Sequence, residues 1–175
     1  AEQSYGYGWG LDSWNTGGWG SAASASSITL EPGLWSLDNF GEVLIATIAN
    51  GKTFTWNAGA ASAFANRAST STTNFSTSAN PTSTRVTLIS PTTRHLIHLG
   101  TETTIGTSST RDNMFIRFSD AENINSYGTS ATNTAGSQRL QDGTKIIGAL
   151  KAKETILIWT DNALYTMKFV GAPFT

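Results

Sequence analysis

Apolar and polar positions along this chain fall into short, strand-length runs, and two of the runs carry nearly the same text. Met114-Phe-Ile-Arg-Phe-Ser-Asp120 and Ile156-Leu-Ile-Trp-Thr-Asp161 each pass from apolar residues to an aromatic, then a small hydroxyl residue, then Asp. Thr53-Phe-Thr-Trp-Asn57 is a looser third copy. Period-two alternation puts its Phe54 and Trp56 on one face and Thr53 and Thr55 on the other. Each copy follows another strand-like run: Val43 to Ala49, His95 to Leu99, and Lys145 to Leu150. Phe118 and Trp159 stand about 40 residues apart, close to the ~40–50 of a four-stranded propeller blade. No segment sustains the 3.6-residue periodicity of a helix. The pattern predicts an all-β fold of repeated antiparallel sheets, propeller-like blades of an incomplete propeller, with long Ser/Thr-rich loops.

Local signals refine this. Asn50-Gly51 between two strand-like runs is a strong hairpin signal. The unbroken apolar run Val43 to Ala49 suits a strand covered on both faces. Asp38-Asn39 and Gly41, set between apolar groups, read as turn residues. In the last third, Lys145–Leu150, Thr155–Trp159 and Ala163–Val170 are separated only by Lys151-Ala-Lys153 and Asp161-Asn162, which predicts a three-stranded meander. Its middle strand has Ile156 and Ile158 on one face and Leu157 and Trp159 on the other, as a central strand would. Residues 121–143 read as a polar connection punctuated by Gly128, Gly136 and Gly143.

The N-terminal stretch has a different grammar. Tyr5-Gly-Tyr-Gly-Trp-Gly10 and Trp14-Asn-Thr-Gly-Gly-Trp-Gly20 alternate aromatics with glycine, and each glycine costs a helix about 1 kcal/mol. Tyr5, Tyr7, Trp9, Trp14 and Trp19 form either an extended arm whose rings dock into apolar pockets on a neighbouring subunit or on the domain itself, or a sugar-stacking or membrane-interface cluster; the docking arm is the expected reading. Domain organisation follows: an arm and linker over 1–29, and a β-repeat domain over 30–175 with insertions at 58–84 and 101–113, which lack the apolar surface to order themselves alone.

Composition narrows the function classes. Charged residues make up 13% of the 175, about half the ~25% usual in soluble domains, and a surface so poor in charge tolerates burial in an assembly. Net charge is −1, which argues against phosphate binding as the main task. Arg139, Lys145, Lys151, Lys153 and Lys168 give the last quarter a mild basic bias, read as solvated strand edges and turns. With no cysteine, disulfide frameworks, thiolate zinc sites and cysteine nucleophiles drop out. No run approaches the ~20 apolar residues of a membrane span. The chain starts with Ala and stops soon after a strand, so a portion of a longer protein is expected.

Candidate chemistry is sparse. His95 and His98 are three apart on a strand and point to opposite faces, so they cannot share a metal. Asp120 and Glu122 have the look of paired carboxylates for glycosidic chemistry, but two acids just after a strand are better read as turn residues, with Asp120 bonding its own backbone in an Asx-turn. Asp161, before Asn162, reads the same way, and with Asn50 and Gly51 these are assigned as structural turns. There is no nucleophile elbow, phosphate loop or dinucleotide fingerprint. No catalytic residue, metal or cofactor is therefore expected.

Leu34-Trp-Ser-Leu-Asp-Asn-Phe-Gly-Glu-Val-Leu-Ile-Ala46 with Gly51 to Trp56 resembles a family of tailed-bacteriophage virion proteins. So do Ile116 to Glu122, Ala131-Thr-Asn-Thr-Ala-Gly-Ser-Gln-Arg-Leu140 and Ile158-Trp-Thr-Asp-Asn-Ala-Leu-Tyr165 through Gly171-Ala-Pro-Phe-Thr175. The resemblance covers roughly residues 30–175 with the two insertions as gaps. It implies a β-rich structural protein of short-tailed phages, of the tail tube, nozzle or hub type, without catalytic residues. It further implies assembly in the host cytoplasm into a virion, with copies of itself in a ring and with other virion proteins. No membrane would be involved, and DNA would pass through without specific binding. The competing class is a carbohydrate-binding module built on Trp9, Trp14 and Trp19.

Overall fold

The computed structural model describes residues 3–6, 26–29, 33–59 and 80–171. The chain divides into two compact units, Ala1–Leu34 and Trp35–Thr175. In the first, β1 (Gln3–Gly6) pairs antiparallel with β2 (Ser26–Thr29). Of the Tyr-Gly alternation, Tyr5-Gly6 lies in the extended backbone of β1. Only the backbone of Tyr5 falls within this description; Tyr7, Trp9, Trp14 and Trp19 lie outside the described residues, as do positions 60–79 of the expected insertion.

The second unit is built from three meanders. The strands β3 (Trp35–Phe40), β4 (Val43–Ile48) and β5 (Thr53–Asn57) form one sheet in that order. A second sheet contains β6 (Val86–Ile89), β7 (Leu96–Leu99), β8 (Phe115–Phe118) and β9 (Gly136–Arg139). The third contains β10 (Ile146–Lys151), β11 (Ile156–Thr160) and β12 (Leu164–Met167). All pairings are antiparallel between consecutive strands. Among the described residues the one helical element is a 3-10 turn at Ser108–Thr110, and none is a helix long and apolar enough to cross a membrane. The fold is thus all-β and antiparallel, with three sheets in this unit and the separate β1–β2 hairpin.

The repeated text does not mark equivalent strands. The Thr53–Asn57 copy forms an edge strand, the Phe115–Phe118 copy lies between β7 and β9, and the Ile156–Thr160 copy is the middle strand of its sheet. Two local readings need correction. Asp38 and Asn39 lie inside β3, paired with Ile45 and Leu44; the turn is Gly41-Glu42, where Gly41 takes φ +65°, suiting the first central position of a type II′ hairpin. The supposed connection 121–143 contains β9, whose Gly-Ser-Gln-Arg text carries no apolar residue and sits exposed beyond Gly136. The β4–β5 hairpin does turn at Asn50-Gly51: Asn50 has φ +62°, and Gly51 N–H donates to Ile48 O at 2.9 Å.

The four-stranded sheet is the middle layer. Leu88, Ile97, Leu99, Ile116 and Phe118 on one of its faces pack against Ile146, Ile156 and Ile158 of the third sheet. Each such side chain withdrawn from water contributes about 1.5–3 kcal/mol. On the opposite face, Ile89 and Leu96 meet Ile45 of the first sheet and Ile124 from the β8–β9 connection. Backbones of different sheets approach most closely where β6 meets β3, β4 and β10. Asp38 ties that meeting point together: it accepts Ile89 N–H at 2.7 Å and pairs with Lys151 of β10 at 2.6 Å.

Beside that apolar cluster, the contact between the first two sheets is hydroxylic. Thr47 Oγ1 bonds Thr53 Oγ1 at 2.8 Å and Thr87 Oγ1 at 2.7 Å, and Ser36 Oγ accepts Thr87 N–H at 3.1 Å. Alternation in Thr53–Asn57 holds, with the threonine face turned inward. Thr53 and Thr55 are buried, whereas Phe54 and Trp56 are only partly so.

Candidate functional site

Both histidines sit at the centre of hydroxyl chains, on opposite sides of the middle sheet. His98, on β7, is wholly buried. Its Nε2 lies 2.8 Å from Tyr127 Oη and its Nδ1 lies 3.2 Å from Thr84 Oγ1. Thr84 Oγ1 lies 3.0 Å from Thr101 Oγ1, which donates to Ser83 O at 3.0 Å. Counting one proton per hydroxyl assigns every role. Thr101 must accept from Thr84, Thr84 from His98 Nδ1–H, and His98 Nε2 from the tyrosine. Burial, then the nearby Arg117 charge, pushes the His98 pKa down to about 3. Burial also raises that of Tyr127 well above its ordinary value. The chain is neutral from end to end and sealed from solvent.

His95, just before β7, repeats the arrangement on the other side. Its Nδ1 meets Thr93 Oγ1, itself 3.2 Å from Ser90 Oγ, and its Nε2 is 3.0 Å from Thr134 Oγ1. Thr134 donates its hydroxyl to Asp120 Oδ1 at 2.7 Å, and the same oxygen accepts Ala121 N–H at 3.0 Å. With the imidazole Nε2–H as second donor, both lone pairs of Thr134 Oγ1 are used. Burial lowers the His95 pKa, against the pull of Asp120. An Asp–Thr–His line that could suggest a nucleophile is therefore fully engaged in holding the β8–β9 connection to β7.

Asp120 and Asp161 share one chemistry. Asp120 Oδ1 accepts Thr134 N–H at 2.8 Å besides the Thr134 hydroxyl. Asp161 accepts Thr144 N–H at 2.8 Å and the Thr144 hydroxyl. Each threonine stands two residues before the strand that pairs with the aspartate's own strand: Thr134 before β9, Thr144 before β10. The carboxylates thus clamp neighbouring strands across the sheet. Asp120 also accepts Ala121 N–H at 3.0 Å, but the expected Asx-turn is the lesser part of its role. The Thr134 N–H and hydroxyl lower the Asp120 pKa, and the Thr144 hydroxyl and N–H lower that of Asp161. Gly143, at φ +121°, makes room for the second clamp, since a Cβ there would lie 2.7 Å from Asp161 Oδ1. Glu122 pairs instead with Arg94 at 3.2 Å.

A third carboxylate escaped the sequence reading. Glu102 is fully buried in the expected 101–113 insertion and accepts Gly106 N–H at 2.7 Å, Thr107 N–H at 3.2 Å and Thr82 N–H at 3.0 Å, with the Thr82 hydroxyl as a fourth donor. These bonds organise a loop whose composition gave no core of its own. No local signal marks Glu102, His98 or Tyr127, because their partners come from distant segments.

An opening lies between the second and third sheets. It is a cavity of about 310 Å³, walled by Ile116, Phe118, Ile158, Tyr165 and Met167, with His95 at its side. Its lining is apolar, and the Glu154–Lys168 pair at 3.5 Å stands by it. The sheets are thus close at β6 and β10 and separate toward β9 and β12. Among the described residues no group of three His, Asp or Glu side chains gathers as a metal site. Comparison with protein-family models, with curated proteins and with solved structures finds no match to this chain.

Proposed function

We propose that this chain is a non-enzymatic structural component of a bacteriophage virion, of the tail, nozzle or hub type, acting by assembly with copies of itself in a ring and with other virion proteins. The finer fold reading belongs with this proposal: the three meanders are propeller-like blades. The observation that carries both is the convergence of first strands. Meanders starting at β3, β6 and β10 touch through those strands, joined by Asp38, and the second and third separate toward their last strands. That is how blades radiate from an axis.

Two further features support a holding role. The polar clusters spend their hydrogen-bonding capacity on one another, which suits rigidity over turnover. A net charge of −1 lets DNA pass without the counterion-release affinity of a basic lining. Light scattering on the purified chain tests the assembly: a closed oligomer is expected, and a strict monomer that joins no virion protein would overturn the proposal.

A further inference from the structure

Asn50 is the one asparagine of the chain followed by glycine, and the pair forms the tip of the β4–β5 hairpin. Asparagine is a thermolabile residue. It is most labile before glycine, where no side chain hinders the following amide nitrogen. The fold holds this pair at several points. Asn50 takes φ +62°, and Gly51 N–H, the group that would attack, is tied to Ile48 O at 2.9 Å. Gly51 O accepts Thr84 N–H at 3.0 Å, and Asn50 O accepts Ser83 Oγ–H at 3.4 Å. Asn50 Oδ1 is buried and meets no hydrogen-bond donor among the described residues. Glycine cannot be exchanged here, since a Cβ on Gly51 would lie 2.5 Å from Ile48 Cγ2. The turn therefore needs a labile pair and pins it.

We propose that Asn50–Gly51 is a latent deamidation site: the folded hairpin shields it, opening exposes it, and conversion keeps the hairpin from closing again. The reaction is intramolecular apart from water. Gly51 N gives up its proton and bonds to Asn50 Cγ, closing a five-membered imide, and the side-chain nitrogen leaves as ammonia. Water then adds to one of the two imide carbonyls and breaks its bond to nitrogen. The product is an aspartate at position 50 or its β-linked isomer. Attack needs a free Gly51 nitrogen, so the bond to Ile48 must open first. Where opening and closing are fast, the rate follows the open population. Both products fit the turn badly. A carboxylate would place charge where Asn50 Oδ1 now lies without a donor. The β-linked product adds a carbon to the main chain, which breaks the register of Thr47 with Thr53 and the Gly51–Thr84 bridge. Thr84 also belongs to the His98 hydroxyl chain, so the damage reaches that buried chain. Each conversion is permanent, and the pair accumulates a record of hairpin opening.

Peptide mapping by mass spectrometry tests this in the full chain, incubated in one mildly alkaline buffer with and without unfolding concentrations of urea. Conversion at Asn50 is expected in urea. In the folded chain it should be slower by at least about tenfold, the factor for each ~1.4 kcal/mol of opening free energy. Asn50→Asp should melt several degrees below the wild type. Asn50→Gly, which accepts the positive φ, should melt near the wild type and show no conversion in this peptide. No conversion in urea would overturn the site, and equal rates with and without urea would overturn the shielding. A melt of Asn50→Asp that matches the wild type would overturn the locking step. Should Asn50→Asp not fold, wild-type chain converted in urea and returned to buffer makes the same comparison. Converted molecules should refold less than unconverted ones, and equal refolding would overturn the proposal.

Discussion

The two faces of the middle sheet are held by opposite chemistries. Toward the third sheet, Ile97, Leu99, Ile116 and Phe118 meet Ile146, Ile156 and Ile158, with Tyr165 and Met167 packed against them. Toward the first sheet, the apolar cluster of Ile45, Ile89, Leu96 and Ile124 is joined by a hydroxyl contact through Ser36, Thr47, Thr53 and Thr87, with His98 and Tyr127 alongside. The apolar interface supplies more free energy per side chain but tolerates sliding, because dispersion contacts are non-directional. The hydroxyl interface nets less, since each bond replaces one to water, but it penalises every misplacement by an unsatisfied buried group. One sheet thus uses one face for adhesion and the other for registration.

The sharpest way to break that comparison is at Ile158, which is 1% exposed in the apolar interface. Ile158→Ala should cost about 2–5 kcal/mol, the range for deleting a buried aliphatic side chain. In urea unfolding the midpoint should fall with the slope unchanged. Leu150→Ala, at an exposed side chain of the same sheet, should change stability by less than about 0.5 kcal/mol. Equal losses at the two sites would show that the third sheet is not anchored through its inner face.

The hydroxyl interface should respond differently in kind. Thr47→Val keeps the shape but takes the shared partner from the Thr53 and Thr87 hydroxyls, leaving Thr87 only Ser36 Oγ at 3.3 Å, for a loss of roughly 1–3 kcal/mol. Replacing Thr47, Thr53 and Thr87 together by valine should recover much of that loss, since matched apolar groups of the same shape are close to neutral. A triple variant worse than the sum of its parts would mean that the hydroxyls do more than satisfy one another.

This inversion also explains what could be read from the sequence. The meander from Ile146 to Met167 and the turn at Asn50-Gly51 were legible because periodicity and turn chemistry are local. Thr53 and Thr55 were legible as one face and misleading as to which way it looked, because a hydrophobic pattern assumes that aromatics point inward. Asp38 resembled a turn residue because its acceptor role is completed by Ile89, 51 positions away. Strand β9 was invisible for a related reason: Ser137, Gln138 and Arg139 are exposed, so nothing in its text alternates. The histidines could be assigned to opposite faces from spacing alone. Their hydroxyl chains could not, since Tyr127 and Thr134 lie 29 and 39 positions from the rings they bond.

Acidification probes the registration face next. The His98 pKa is about 3 in the folded chain, below the ordinary 6.5, so the unfolded chain takes up the proton first. Its contribution is full above 6.5 and is lost as pH falls toward 3. Stability should drop by roughly 1–2 kcal/mol by pH 5.5 and continue downward. His95, also lowered, acts in the same direction. In His98→Gln, chemical unfolding between pH 7 and pH 5 should show a visibly shallower dependence. An unchanged slope would move the sensitivity away from the Tyr127–His98–Thr84 chain.

The smallest effects belong to the two aspartate clamps, which repeat the contrast between sheltered and exposed polar contacts. Asp120 works beside buried His95, while Asp161 stands in solvent, where water competes for the carboxylate and salt screens it. Both carboxyls titrate below their ordinary range in the folded chain. Their contributions are therefore present above about pH 4 and lost as pH falls through the folded values. Thermal melts at pH 7 should show a larger shift for Asp120→Asn than for Asp161→Asn, and both variants should converge on the wild type once the carboxylates are protonated. Equal shifts at pH 7 would mean that the common aromatic–hydroxyl–Asp text carries equal weight wherever it falls. A larger shift for Asp120→Asn would instead locate the weight in its sheltered partners, Thr134 and His95.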